Sequence, residues 1–512
     1  RQNPSDYIQG MVACVQAALK NARDQRRNFS ADQVIGIGVD ATSSTPLPVD
    51  KEGVPLSEHK EFQGNLNALA WLWKDHTSYT EAAEITELAR KEKPQYLAKC
   101  GGTYSPEWYF SKILHCLRTD QKVFEAAWTW VELSDYVPAV LTGKAHPGQF
   151  KCNRCAAGHK GLFSESWGGF PAREFLAKLD PKLGTLRDRL ADKTYTIDTS
   201  AGSLTKEWAQ KLGLPAGIPV AVGAIDAHMG AVGAGVGSGK LVQIIGTSAC
   251  DISVWSSSQP LRDIPGVCGI VDGSVLPGYF GIEAGQAAVG DIYNWFVNYL
   301  QPGGAKNGSH EELTRKASQL KPGQTGLLAL DWNNGNRNIL ADQRLTGLLL
   351  GQTLHTRPEE MYRALIEATA FGMLAIIQQM EKYGVQVAEI INCGGIAEKN
   401  AMLMQIYADI VGRKMLVSRS AQTCALGSAI AGAVVAGKAA GGYDNFEEAQ
   451  KSMCGIKERT FTPLPENQKV YQRLYSLYQL LHDAFGRKDG SAHLSGVMKE
   501  LLAIKDQVNA TA

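Results

Sequence analysis

The chain has 512 residues, and 52 Lys and Arg against 51 Asp and Glu leave a formal charge of +1. That length exceeds what one hydrophobic core supports and predicts two or more domains, while so even a charge balance offers no basic stripe to nucleic acid. No run of about 18 apolar residues occurs, which argues against a membrane span, and Arg1-Gln2-Asn3-Pro4 opens the chain without an apolar signal region, so a cytoplasmic location is expected.

In chain order, residues 33–39 read as a strand running into Asp40-Ala41-Thr42-Ser43-Ser44-Thr45, a loop that offers hydroxyls and backbone amides to a polyol. Residues 106–117 read as a helix that opens on Glu107, Trp108 and Tyr109. The ten cysteines are scattered, and Cys152 and Cys155 form the single C-x-x-C. With no second pair to complete a zinc site, free thiols in a reducing compartment are expected. Lys160 follows a glycine in the run AAGHK, residues 156–160.

Residues 219–222 read as a buried strand, with Asp226 directly after it. Ligands of open α/β sheets sit at the carboxyl ends of strands, so Asp226 stands where a general base would, although a helix cap is the ordinary use of an Asp there. His228 reads as packing or a local hydrogen bond. The glycine-rich stretch 230–239 reads as a hinge between lobes spanning residues 1–235 and 236–512.

The apolar strand 241–245 then runs into Gly246-Thr247-Ser248, whose amides and hydroxyls can wrap phosphate oxygens without a P-loop. Glu283 lies between glycines in GIEAGQ, residues 281–286, and residues 325–337 pass from an apolar strand into a polar loop. Pro358 and Gly384 bracket a long amphipathic helix. The apolar run 387–391 leads into Gly394-Gly395 and a helix ending near Gly412. Glycines at such a turn let a backbone or a ligand approach closely, and the free amides suit an anion. A helix of small residues from Ala425 is built for close packing, and one over 465–485 presents Val470, Tyr471, Leu474, Leu477 and Leu481 to the rest of the chain. Strands alternating with helices throughout make the chain an α/β protein.

Taken together, the runs GIGVDATSST (36–45), RCAAGHK (154–160), IDAHMGAVG (225–233), IEAGQ (282–286), CGGIAEKN (393–400) and ALGSA (425–429) closely resemble the FGGY carbohydrate kinases, within the actin/hexokinase/Hsp70 ATPase superfamily. The resemblance runs in order from about Asp6 to Tyr478 and is closest to the ribulose-phosphorylating branch of that family. It implies two ribonuclease-H-like lobes closing on ATP, with Mg²⁺, and on L-ribulose, in L-arabinose catabolism. By that similarity Asp226 takes the proton of the sugar's terminal hydroxyl, and Ser43, Lys160, Asp226 and Glu283 hold the sugar. Gly246 and Thr247 match a phosphate loop, while Gly394, Gly395 and Asn400 match the adenosine segment.

The metal ligands are unassigned, and a homodimer is allowed without being indicated. The family's opening strand-turn-strand, its first phosphate loop, lies upstream of the matched residues, and a chain without it is expected to transfer phosphoryl groups very weakly. Two rival functions share these features: a kinase for another pentulose or pentitol, and a nucleotide switch of the actin or Hsp70 kind. A dinucleotide oxidoreductase is disfavoured because no strand–GxGxxG–helix unit is present.

Overall fold

The computed structural model describes residues 1–302, 304, 308–487, 494 and 497–510. Strands in the first half are short and pair in twos. β1 (Asp40–Ala41) runs parallel to β6 (Ala224–Ile225), β2 (Pro46–Val49) antiparallel to β3 (Thr129–Glu132), and β4 (Ser200–Ser203) antiparallel to β5 (Pro219–Ala221). Pro46, Pro48 and Pro219 lack the N–H that a longer ladder would use.

No strand forms over the expected residues 33–39; the strand there begins only with β1. Residues 31–33 form a 3₁₀ turn, and the extended stretch after them bonds on one side only, Ile37 N–H to the Pro219 carbonyl at 2.9 Å and Ala221 N–H to the Ile37 carbonyl at 2.8 Å. Gly36 and Gly38 instead press against the helix Thr423–Ala436, where a Cβ on Gly38 would lie 1.8 Å from the Ser428 carbonyl oxygen.

The second half is organised by one six-stranded sheet. Its strands are β7 (Lys240–Ile245), β8 (Ala249–Ser256), β9 (Gly269–Asp272), β10 (Tyr279–Gln286), β13 (Glu389–Cys393) and β14 (Met415–Val417), in the order β14-β13-β7-β8-β10-β9. β7, β13 and β14 are parallel, with Cys393 opposite Ile244. The remaining neighbours are antiparallel. Gln286 ends β10, and β11 (Leu328–Leu330) pairs with β12 (Leu348–Leu350) outside this sheet.

The helix Pro358–Lys382 covers one face of the sheet and buries Tyr362, Phe371 and Met373. Pro358 opens it, the Glu360 carboxylate accepts the Arg357 N–H at 2.8 Å, and Gly384 follows it at φ +103°. The helix Pro465–Gly486 packs onto the same core through Tyr471, Leu474, Leu477, Tyr478 and Leu481, as its spacing predicts.

The expected hinge over 230–239 fails for its first half. Residues 226–234 form a helix, and its glycines serve contact with the helix Thr423–Ala436. A Cβ on Gly233 would meet the Thr423 carbonyl oxygen at 2.0 Å, and one on Gly427 the Met229 carbonyl oxygen at 1.9 Å. Two backbones touch there, which only small residues allow. All ten cysteines are free thiols, and among the described residues no helix is long and apolar enough to cross a membrane.

Candidate active site

Three elements converge on one carboxylate. Glu283 sits mid-strand on β10, Lys160 near the end of the helix Arg154–Gly161, and His228 in the first turn of the helix Asp226–Ala234. Lys160 Nζ donates to Glu283 Oε1 at 2.7 Å and Oε2 at 3.0 Å, with both side chains more than nine-tenths buried. His159 Nδ1 lies 3.3 Å and His228 Nε2 3.4 Å from Oε2.

The helix bearing Lys160 is fixed at its start. Asn153 caps it through the Ala156 N–H at 2.6 Å, and Asp135 in turn accepts from the Asn153 backbone and side-chain amides at 2.7 and 2.6 Å. Gly158 lets the helix lie on β9, because a Cβ there would strike Val271 at 2.3 Å.

Burial alone would push the Glu283 carboxyl up, but the Lys160 ammonium outweighs it and holds the carboxyl well below the usual carboxylate range. The same exchange keeps Lys160 charged: burial disfavours its ammonium, and Glu283 overrides burial. Desolvation keeps both histidines neutral, His228 at about 4. The Lys160–Glu283 pair lines a cavity of about 1090 Å³ together with Trp108, Glu107 and Arg337.

Across that cavity Arg337 Nη2 stands 3.5 Å from Glu107 Oε2, and His76 Nε2 is 2.9 Å from Glu107 Oε1. Burial raises the Glu107 carboxyl, and Arg337 followed by His76 brings it down to about 2. An ion pair thus bridges a loop of the second half to the first half.

Asp226 opens its helix directly after β6. The helix cap is Ile225, and the Asp226 side chain accepts the N–H of Ala227 at 2.7 Å. Burial first, then the neighbouring Asp40 carboxylate, lifts Asp226 to about 6, while the Ala227 N–H and Lys160 oppose the rise. Asp40 sits at the same strand end, because β1 and β6 are parallel with Asp40 opposite Ala224. Its Oδ2 accepts the Ser428 hydroxyl at 2.5 Å, from the other half of the chain.

Ser43 does not join this group by a hydrogen bond. Its hydroxyl donates to Glu132 Oε2 at 3.1 Å, and the same buried carboxylate takes the Ser44 hydroxyl and the Thr45 N–H, the latter at 2.8 Å. Sequence reasoning missed Glu132. Its signal was a carboxylate inside the apolar run 129–133, a place where an unpaired charge is costly.

The two glycine sites, about 150 residues apart in sequence, do meet. Gly246 follows β7 and Gly394 follows β13, its parallel neighbour. A Cβ on Gly394, at φ +97°, would lie 2.3 Å from the Ile245 carbonyl oxygen, and one on Gly290 2.4 Å from that of Gly246. Gly246, Thr247 and Gly395 are exposed, with nothing within 4 Å of a Cβ on Gly395. Open glycine backbone at adjacent strand ends is a cradle that fits phosphate or sugar oxygens. Asn400 is partly committed: its side chain caps the helix Ala401–Val411 through the Leu403 N–H at 3.0 Å, which leaves its amide nitrogen available.

By the resemblance that assigns this turn to nucleotide, Gly394→Ala is expected to raise the KM for nucleotide about tenfold or more while leaving the KM for sugar within about twofold. It adds a methyl against a backbone carbonyl and forbids the required φ. Initial-rate kinetics with each substrate varied checks this, and equal effects on both constants would contradict it.

Residues 1–233 match the N-terminal domain of the FGGY family of carbohydrate kinases, and residues 241–436 its C-terminal domain. The chain is 42% identical to the ribulokinase of Halalkalibacterium halodurans over 98% of its own length and 88% of that protein. It is 42% identical to that of Geobacillus thermodenitrificans over 99% and 88%. In fold it resembles the ligand-bound xylulose kinase of Lactobacillus acidophilus, with a TM-score of 0.76 at 16% identity over 95% of this chain and 90% of that one.

Proposed function

This chain belongs to the FGGY family of carbohydrate kinases and is a sugar kinase, and from that premise we propose that it transfers the γ-phosphoryl group of ATP to the terminal C5 hydroxyl of L-ribulose, in L-arabinose catabolism in the cytoplasm. The observation that carries the reading is the buried Lys160–Glu283 pair at the wall of the cavity. A nucleotide switch has no use for it, whereas a polyhydroxylated ketose takes hydrogen bonds from an ammonium and gives them to a carboxylate. The choice of ribulose rests on the curated relatives, which are ribulokinases at 42% identity over nearly the whole chain.

In the reaction Asp226 accepts the proton of the attacking hydroxyl. A carboxyl lifted to about 6 is a stronger base than a free Asp and remains mostly ionised at neutral pH. Lys160 and Glu283 fix the sugar so that this hydroxyl faces Asp226, with Ser43 held beside it by Glu132. ATP supplies the phosphoryl group, whose charge a bound Mg²⁺ would neutralise. Gly246, Thr247, Gly394, Gly395 and the Asn400 amide are the residues suited to hold the nucleotide. Asp40 offers a hard carboxylate oxygen of the kind Mg²⁺ takes. The Glu107–Arg337 bridge helps two lobes, divided near residue 235, stay closed and exclude water, so that the phosphoryl group goes to sugar.

An ADP-release assay over pentuloses and pentitols tests the substrate. L-Ribulose is expected to give the highest kcat/KM of the panel. A higher value with another pentulose or a pentitol would move the substrate, and ATP turnover indifferent to every sugar would replace the kinase reading by the switch.

A further inference from the structure

His159, His228 and Glu283 come from three separate elements, and their donor atoms all lie within 4.8 Å of one another. Their side chains are 0%, 1% and 9% exposed. The tautomer of His159 follows from its partners. Ser274 Oγ donates its one proton to the Val271 carbonyl at 3.1 Å, so at 2.9 Å it accepts from His159 Nε2–H. His159 Nδ1 then presents a lone pair, without a hydrogen-bond partner, to the acceptor oxygen Glu283 Oε2 at 3.3 Å. Both nitrogens of His228 also lack a hydrogen-bond partner, and Nε2 faces the same oxygen at 3.4 Å.

An unprotonated ring nitrogen turned toward a carboxylate oxygen in a buried place repels it unless a cation lies between them, and His228, with neither nitrogen engaged, is free to turn its own lone pair to the same point. The spacing suits a particular cation. A tetrahedral ion with bonds of about 2.0–2.1 Å sets its ligand atoms roughly 3.3–3.4 Å apart. Gly269 keeps His159 Nδ1 accessible, since a Cβ there would come within 2.1 Å of it. Ser274 acts as the outer hydrogen-bond partner that metal-binding histidines ordinarily have.

We propose that His159 Nδ1, His228 Nε2 and Glu283 Oε2 form a binding site for a divalent cation of the zinc class, Zn²⁺ or Co²⁺. Lys160 Nζ donates to both oxygens of the same carboxylate, at 2.7 Å to Oε1 and 3.0 Å to Oε2, and is the resident cation against which the metal competes. Because Glu283 serves both ligands, the metal inhibits by competing with sugar; this clause alone rests on the function proposed above.

The test is calorimetric titration of Zn²⁺ into the full chain after dialysis against a chelator, with neither sugar nor Mg²⁺ present. One equivalent is expected to bind per chain. His159→Gln or His228→Gln is expected to abolish that binding, and Ser274→Ala to weaken it about 10–100-fold. Lys160→Met is expected to tighten it, a sign that a merely structural cluster would not produce. No stoichiometric binding, or binding that survives the His159→Gln/His228→Gln double variant, overturns the proposal. Should the histidine variants fail to fold, Co²⁺ added to the unaltered chain decides: intense visible bands of tetrahedral cobalt support the site, and their absence overturns it. Stoichiometric Zn²⁺ binding that does not compete with L-ribulose would uphold the site and sink the placement of the sugar at Glu283.

Discussion

Asp226→Asn is expected to lower kcat by about 10²–10⁴-fold, the usual loss when a positioned general base is removed, with the sugar KM changed less than threefold. Asn keeps the size of the side chain and its oxygen for the Ala227 N–H, so the helix start survives and the missing property is basicity. A pH profile separates this from a structural defect. In the unaltered chain the carboxyl is raised to about 6, chiefly by burial and then by Asp40, and in the proposed mechanism its base form is the active one. The rate should therefore rise with pH as one proton leaves near pH 6 and level off above it. The Asn variant should lose that limb. Near-full activity in Asp226→Asn, or an acid limb that persists in it, would move the base elsewhere.

Lys160→Met should cost about 3–5 kcal/mol of folding stability, as expected when one partner of a buried ion pair is removed and the other is left charged. Met replaces the stem of Lys160 at similar volume, so the loss is electrostatic. Without its ammonium, burial governs Glu283, whose folded pKa then rises above the unfolded carboxylate value of about 4.3. A raised folded pKa means that stability is retained at acid pH and lost as pH rises through it. The deficit in Lys160→Met should accordingly be small near pH 4 and grow toward neutrality. Adding Glu283→Gln should recover most of it, while sugar phosphorylation stays abolished in both variants. Urea unfolding at several pH values measures this. A deficit independent of pH would show that Lys160 acts through packing alone.

Much of the architecture was legible because it is local. Pro358 and Gly384 bound a helix whose ends depend on neighbouring residues, and the small residues after Ala425 announced a backbone contact whatever the partner. Of the hinge expected at 230–239, the first half is helix for a related reason. Glycine signals both freedom and close approach, and only the helix at 423–436 reveals that Gly233 is there for contact. Likewise, residues 33–39 have strand composition, but ladders need partners, and hydrogen bonds form along one edge alone.

The site divides along the same line. By itself the sequence determined the parts: glycines at strand ends, an acid after a buried strand, a lysine and a glutamate on glycine-flanked segments, and a family resemblance across nearly the whole chain. Only the tertiary structure decided which parts meet. It joined Gly394 to the end of β7, gave Ser43 to Glu132, and set two histidines beside Glu283. Contacts across 89 or 123 residues depend on sheet register and helix crossing, and those follow from the packing of the whole chain rather than from any window of it.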